Sequence, residues 1–174
     1  MTKKRIVTFS NLYLLILLST FLIGGCTSCP EPFECAKGTL VEVPAKPKDW
    51  SVDVFTPTTI KVKNGDTISF LASGTWDMGA GSVGPAGTEA TCECVVSEKS
   101  GADLKGRLGA LVGRIGEKGK GTPFLIGCKK SITATQNGTL FLTSNDNLGR
   151  CDNISSGSCY YDNTGSIKVC VDIK

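Results

Sequence analysis

Histidine is absent from the 174-residue sequence. Its absence excludes Ser-His-Asp and Cys-His nucleophile systems and every metal site built on imidazole. Aromatic residues are scarce, at 7% of the chain. A charge excess is missing too, once the first 25 residues are set aside. Those residues hold Lys3, Lys4 and Arg5 and no acid, which leaves 16 of the 19 basic side chains against all 16 acidic ones. The net charge of +3 therefore belongs to the leader, and no nucleic-acid partner is expected. Beyond the leader, no stretch sustains a helical period. Glycine is plentiful, at 21 residues, so turns are frequent. The length and a 40% apolar content suit one domain with a single core.

The N-terminus reads as a secretory signal, with a basic start and an apolar stretch from Leu12 to Ile23. The stretch is too short and too soon interrupted for a membrane span. It ends in Leu22-Ile23-Gly24-Gly25-Cys26, which resembles the lipobox of bacterial lipoproteins. The resemblance implies cleavage before Cys26 and lipidation of its sulfur, with two or three acyl chains holding the protein on a membrane. It places the protein at a bacterial cell envelope, on the outer membrane in a Gram-negative cell. A plain secretion signal with Cys26 in a disulfide is the alternative.

Nine cysteines agree with that reading, because giving Cys26 to lipid leaves eight for up to four disulfides in an oxidising compartment. Proximity suggests Cys29 with Cys35 and Cys151 with Cys159. Cys92, Cys94, Cys128 and Cys170 would then pair among themselves. Zinc is disfavoured, since Cys92-x-Cys94 lacks the usual two-residue spacing and no second close pair follows.

Residues 26–49 read as the lipidated cysteine and a tether broken by Pro30, Pro32, Pro44 and Pro47. Residues 50–174 read as the folded domain. Ile60 and Val62 alternate with Lys61 and Lys63, and Asn64-Gly65-Asp66 leads into Ile68, Phe70 and Ala72, which predicts a hairpin. Apolar segments at 108–115 and 124–126, Ile132, Leu140 with Leu142, and the alternating Ile167–Ile173 continue the pattern. About eight short strands with Gly and Asn turns predict an all-β, antiparallel, disulfide-braced β-sandwich.

Two phosphate-loop look-alikes are turns. Gly79–Gly84 matches G-x-G-x-x-G, but Pro85-Ala86-Gly87 follows where a dinucleotide fold needs a helix. In Gly116–Gly121, Lys120 precedes Gly121 and not the Ser or Thr that would hold magnesium.

The richest segment is 144–165. It carries Asn145, Asp146, Asn147, Asp152, Asn153, Asp162 and Asn163, seven oxygen-bearing side chains within 19 residues. Calcium takes six to eight oxygen ligands from carboxylates, amides and carbonyls. No EF-hand spacing is present, and a polar loop of turn-formers is the plainer reading.

A set of blocks in fixed order adds to this: Ala72-Ser73-Gly74-Thr75-Trp76-Asp77-Met78-Gly79, Gly84-Pro85-Ala86-Gly87, Gly109–Gly116, Pro123-Phe124-Leu125-Ile126-Gly127, and Asn145-Asp146 leading to Asp162-Asn163-Thr164-Gly165-Ser166. Together they resemble the galactophilic bacterial lectins of the PA-IL type. The resemblance covers roughly residues 51–173 and implies a jelly-roll-like β-sandwich. It also implies Ca2+ as cofactor and a terminal sugar such as galactose, bound through vicinal hydroxyls on the metal. By that resemblance Asp146, Asp162, Asn163 and the backbone of Met78 (or Asp77) hold calcium, while Asp146, Asn147 and Asp162 meet the sugar. The lectins grip the galactose 6-hydroxyl with a His after Gly-Pro-x-Gly. Here that loop, Thr88–Cys94, has none, which detaches the sugar's identity from the resemblance. Trp76, Tyr160 and Tyr161 are candidate aromatic platforms for a sugar's apolar face. The expectation is a non-catalytic, membrane-anchored carbohydrate-binding protein. The alternative is a calcium-stabilised structural or protein-interaction module with no sugar ligand.

Overall fold

A computed structural model describes residues 29, 34–50, 52–79, 81–89, 95–96, 106–146 and 159–174. The leader, the lipobox and Cys26 lie outside them. The described residues form nine strands: β1 Thr39–Pro44, β2 Thr56–Val62, β3 Thr67–Asp77, β4 Ser82–Val83, β5 Leu111–Gly116, β6 Phe124–Leu125, β7 Lys129–Thr133, β8 Gly138–Ser144 and β9 Thr164–Ile173. A 3₁₀ turn, Cys159–Tyr161, precedes β9. Two antiparallel sheets result. One runs β1-β9-β3-β4, with β7 also on β3, and the other runs β2-β8-β5-β6. This is the expected all-β, disulfide-braced sandwich.

The alternation of β3 and β9 makes the core. Ile68, Phe70, Ala72 and Trp76 from β3, with Ile167, Val169 and Val171 from β9, point inward against Ile60, Val62, Ile115, Leu140 and Leu142 of the other sheet. That second sheet is covered on its outer face as well, by a cluster of Phe55, Val96, Ala110, Val112, Leu125 and Phe141. Burial on both faces explains why β5 and the apolar residues before it read as a continuous run without alternation. Arg114 is a buried charge in this outer layer. It lies between the rings of Phe55 and Phe141 and pairs with the buried Asp53 at 2.8 Å.

Three expectations are corrected. The tether is shorter than predicted, because residues 39–44 form β1 on the edge of the first sheet, paired with β9 from Thr39↔Val171 to Pro44↔Ser166. Proline is tolerated there because an edge strand has one side free of ladder hydrogen bonds. Second, β2 and β3 are not a hairpin. β2 pairs with β8 and β3 with β9, so Asn64-Gly65-Asp66 arches from one sheet to the other. Gly65 has φ +94°, and Asp66 Oδ2 accepts from the Lys63 amide to close the arch. Third, Cys29 and Cys35 do not bond each other. Cys29 bonds Cys128 and Cys35 bonds Cys170. The inward alternation of Val169 and Val171 leaves Cys170 facing out to meet the incoming chain. Cys159 is also disulfide-bonded, and Cys151, its expected partner, lies outside the described residues.

Candidate functional site

β3, β8 and β9 converge at one end of the sandwich. The β3–β9 ladder finishes at Asp77↔Thr164, so one further step sets Met78 opposite Asn163. β8 ends at Ser144, and Asn145 and Asp146 continue from it toward the same end. The fold thus gathers residues 77–79, 146 and 162–163 from three separate parts of the chain.

Asp146 and Asn163 are each 2% exposed. Asn163 Nδ2 donates to Asp146 Oδ2 at 2.7 Å and also approaches the Ala45 carbonyl at 3.4 Å. Asn163 Oδ1 is buried and has no hydrogen-bond partner among the described residues. A buried amide oxygen without a donor is costly, commonly by about 1–3 kcal/mol, and calls for an electropositive group. Asp162 is exposed and folds over Gly79, so closely that a Cβ there would run into its Oδ2. Gly79 has φ +75°, which glycine adopts without strain.

Asp77 spends its side chain on the turn. Its Oδ1 accepts from the amides of Gly79 at 2.8 Å and Gly81 at 3.3 Å. Asn145 is a fastener and not a ligand. Its Oδ1 accepts from the Val96 amide at 3.0 Å, and its Nδ2 donates to the Arg107 carbonyl at 3.1 Å. Together with Trp76 Nε1, which donates to Gly109 O at 2.8 Å, it pins residues 107–110 beside the site.

Tyr160 locks the other side. Its phenol donates to the Ser144 carbonyl at 2.5 Å and accepts from the Asp146 amide at 3.2 Å. Complete burial first, and then the nearby Asp146 charge, push its ionisation well above the ordinary tyrosine range. The phenol is therefore a fixed neutral strut under Asp146. Of the aromatic platforms expected from sequence, Trp76 and Tyr160 are core residues, 1% and 0% exposed. Tyr161 alone is exposed, at the rim next to Asp162, where Lys46 Nζ donates to its carbonyl.

Among the described residues no three of His, Cys, Asp and Glu gather as metal ligands. What lies at this end is an oxygen set: the buried Asp146 carboxylate, the buried Asn163 amide oxygen and the exposed Asp162 carboxylate. That set fits a hard cation, which accepts amide and carbonyl oxygens as readily as carboxylates. Asn147, Asp152 and Asn153 lie outside the described residues. A separate cleft of about 250 Å³ opens near the opposite end, lined by Ile115, Thr122, Phe124, Ile132, Thr135 and Gln136. It has no charged group and no part in this site.

The positioning roles of Ala45, Asn145 and Tyr160 escape sequence reasoning. Ala45 lies in the segment read as tether, and Tyr160 has no local signal of its long-range partners.

No protein-family model matches the chain, and no curated protein matches it. Among solved structures the chain is similar to the N-terminal domain of EclA, described as a PllA-like lectin. The two share 24% identity and a TM-score of 0.52, over 78% of this chain and 95% of that one. A functionally unknown conserved protein from Bacillus anthracis str. Ames aligns at 12% identity and a TM-score of 0.36, over 78% of this chain and 21% of that one. The first likeness establishes a shared fold.

Proposed function

We propose that this protein is a lipid-anchored carbohydrate-binding protein of the bacterial envelope, which recognises sugars through a calcium ion at the Asp146–Asn163 end of the sandwich. The observation that carries the reading is the buried Oδ1 of Asn163, partnerless among the described residues, beside the buried Asp146 carboxylate. It lies in a fold shared with a lectin domain. Lipid attachment at Cys26 rests on the lipobox-like run before it.

Asp146, Asn163 Oδ1, Asp162 and the Met78 carbonyl would hold the metal. When bound, calcium supplies a hard centre whose remaining coordination positions accept a sugar's vicinal hydroxyls. Asp146 and Asp162 orient those hydroxyls by accepting their protons in charge-assisted hydrogen bonds. Tyr160 keeps the Asp146 backbone from drifting, and Tyr161 offers its ring to the sugar's apolar face. The protein makes and breaks no bond.

The test is a glycan array probed with the mature protein in detergent, once in calcium and once in chelator. Calcium-dependent spots establish a lectin and identify its sugar. An array blank in both buffers, from a protein that still binds calcium, supports the structural-module reading instead.

A further inference from the structure

Resting on the lipid anchor proposed above, we infer that the basic edge strand β7, beside the Cys29–Cys128 corner, is the surface held against the membrane. Only Thr27 and Ser28 separate Cys26 from Cys29. Cys29 is fixed to Cys128, in the turn between β6 and β7, with Cα atoms 5.1 Å apart. The attachment is seated in the body: Cys29 is half-buried, and its sulfur lies 3.8 Å from where a Cβ on Gly84 would stand.

The reach follows directly. Three residue steps span at most about 11 Å. A bilayer's polar layer takes up about 5–8 Å of that on each side. A lipid on Cys26 therefore brings the β6–β7 corner to the headgroups, with no room to stand off. An unfastened chain from Cys26 to Trp50 would have allowed about 80 Å.

The surface at that corner suits anionic headgroups. β7 begins with Lys129 and Lys130, the first exposed and the second half-buried. It pairs with β3 on one side through Thr67↔Thr133 to Leu71↔Lys129. From Cys29 the chain moves away from this corner, to Cys35 on Cys170 of β9 and then to β1 at the far edge of the sheet. The exposed Leu40 lies on β1, away from the leash. Electrostatic attraction of lysines to an anionic surface acts only at such short range.

The experiment uses the mature acylated protein in vesicles of phosphatidylethanolamine and phosphatidylglycerol. A membrane-impermeant acetylating reagent is applied, and mass spectrometry reads each lysine. Lys129 and Lys130 are expected to react several-fold more slowly than after the vesicles are dissolved in detergent. Lys61 and Lys63, on and just after β2 of the other sheet, are expected to be unchanged. Equal reactivity of Lys129 and Lys130 in both states overturns the inference.

A second form carries a Gly/Ser insert of about 12 residues after Cys26, long enough to reach about 20 Å. It leaves the disulfide and the fold untouched, and it should restore the reactivity of Lys129 and Lys130. Protection that survives the insert shows that the leash is not its cause and overturns the inference. Intact mass and vesicle flotation are read on the same samples. A protein without acyl groups that fails to float overturns the anchor reading itself, and that outcome is distinct from an anchored protein with a reactive β7.

Discussion

Asn163 Nδ2 lies 2.7 Å from Asp146 Oδ2, while the amide oxygen of Asn163 is buried without a partner among the described residues. One side chain thus both neutralises part of a buried carboxylate and presents an unmet acceptor. Asn163→Asp should raise calcium affinity by adding a charge to the site, yet lower the stability of the metal-free protein by setting two buried carboxylates together. Asp146→Asn should abolish the calcium response. Calorimetric titration and melting with and without calcium check both. For the parent protein, calcium at a hundred times its Kd should add about 2.7 kcal/mol, and this gain should vanish in Asp146→Asn.

Gly79→Ala tests the seat of Asp162. The new methyl would occupy the carboxylate's position, and φ +75° is unfavourable for alanine. Asp162 is exposed and can swing away, so the fold should survive while calcium affinity falls. A variant that binds calcium as the parent does would remove Asp162 from the ligand set.

Tyr160→Phe removes the strut under Asp146. The Ser144 carbonyl loses its donor and the Asp146 amide its acceptor, both buried, at a cost of about 1–3 kcal/mol. The pH dependence has a definite sign. The folded phenol ionises above its unfolded value of about 10, so its contribution is complete below pH 10 and is lost as pH rises from there toward the folded value. Melting temperature should therefore fall above about pH 10 in the parent protein and fall less steeply in Tyr160→Phe.

Asp53 and Arg114 form the buried pair on the far side of the second sheet. Burial works against ionisation of Asp53, but the Arg114 hydrogen bond, the Phe55 and Gly119 amides and the Arg114 charge together hold its carboxyl below the usual range. Asp53→Ala leaves a buried guanidinium without its counter-ion, and Arg114 Nε already lacks a hydrogen-bond partner among the described residues. Destabilisation of about 3–5 kcal/mol is expected. A depressed carboxyl stabilises above its unfolded pKa and ceases to as pH falls through the folded one. The parent should thus lose stability below about pH 4, and the variant should lose less over the same interval. Denaturant titrations across that range provide the check.

Alternation made the sandwich legible: Ile167, Val169 and Val171 announce one buried face, and the same pattern puts Cys170 on the other. The partner of Cys170 was not legible, because loop closure over 135 residues is decided by where β1 docks and not by spacing. The hairpin misreading has a similar origin. Ile60–Val62 and Ile68–Ala72 bury the same kind of side chains whether they share a sheet or face each other across the core. Asn64-Gly65-Asp66 serves either connection. At the site, Asp146, Asp162 and Asn163 were legible as oxygen donors. Their geometry depends on Ala45, Gly79 and Tyr160, whose roles arise only when three strand ends meet.

The two long-range disulfides also decide how the domain carries tension. A ligand held at the Asp146–Asn163 end and a lipid on Cys26 would pull on the chain between Cys26 and the sheets. In a strand order that puts β1 at an edge, that pull would unzip β1 from β9 one hydrogen bond at a time. Cys29–Cys128 and Cys35–Cys170 both lie upstream of Thr39, so load passes into the β6–β7 corner and the middle of β9 before it can reach the first β1 residue. The weakest edge of the sandwich is thereby excluded from the line of force.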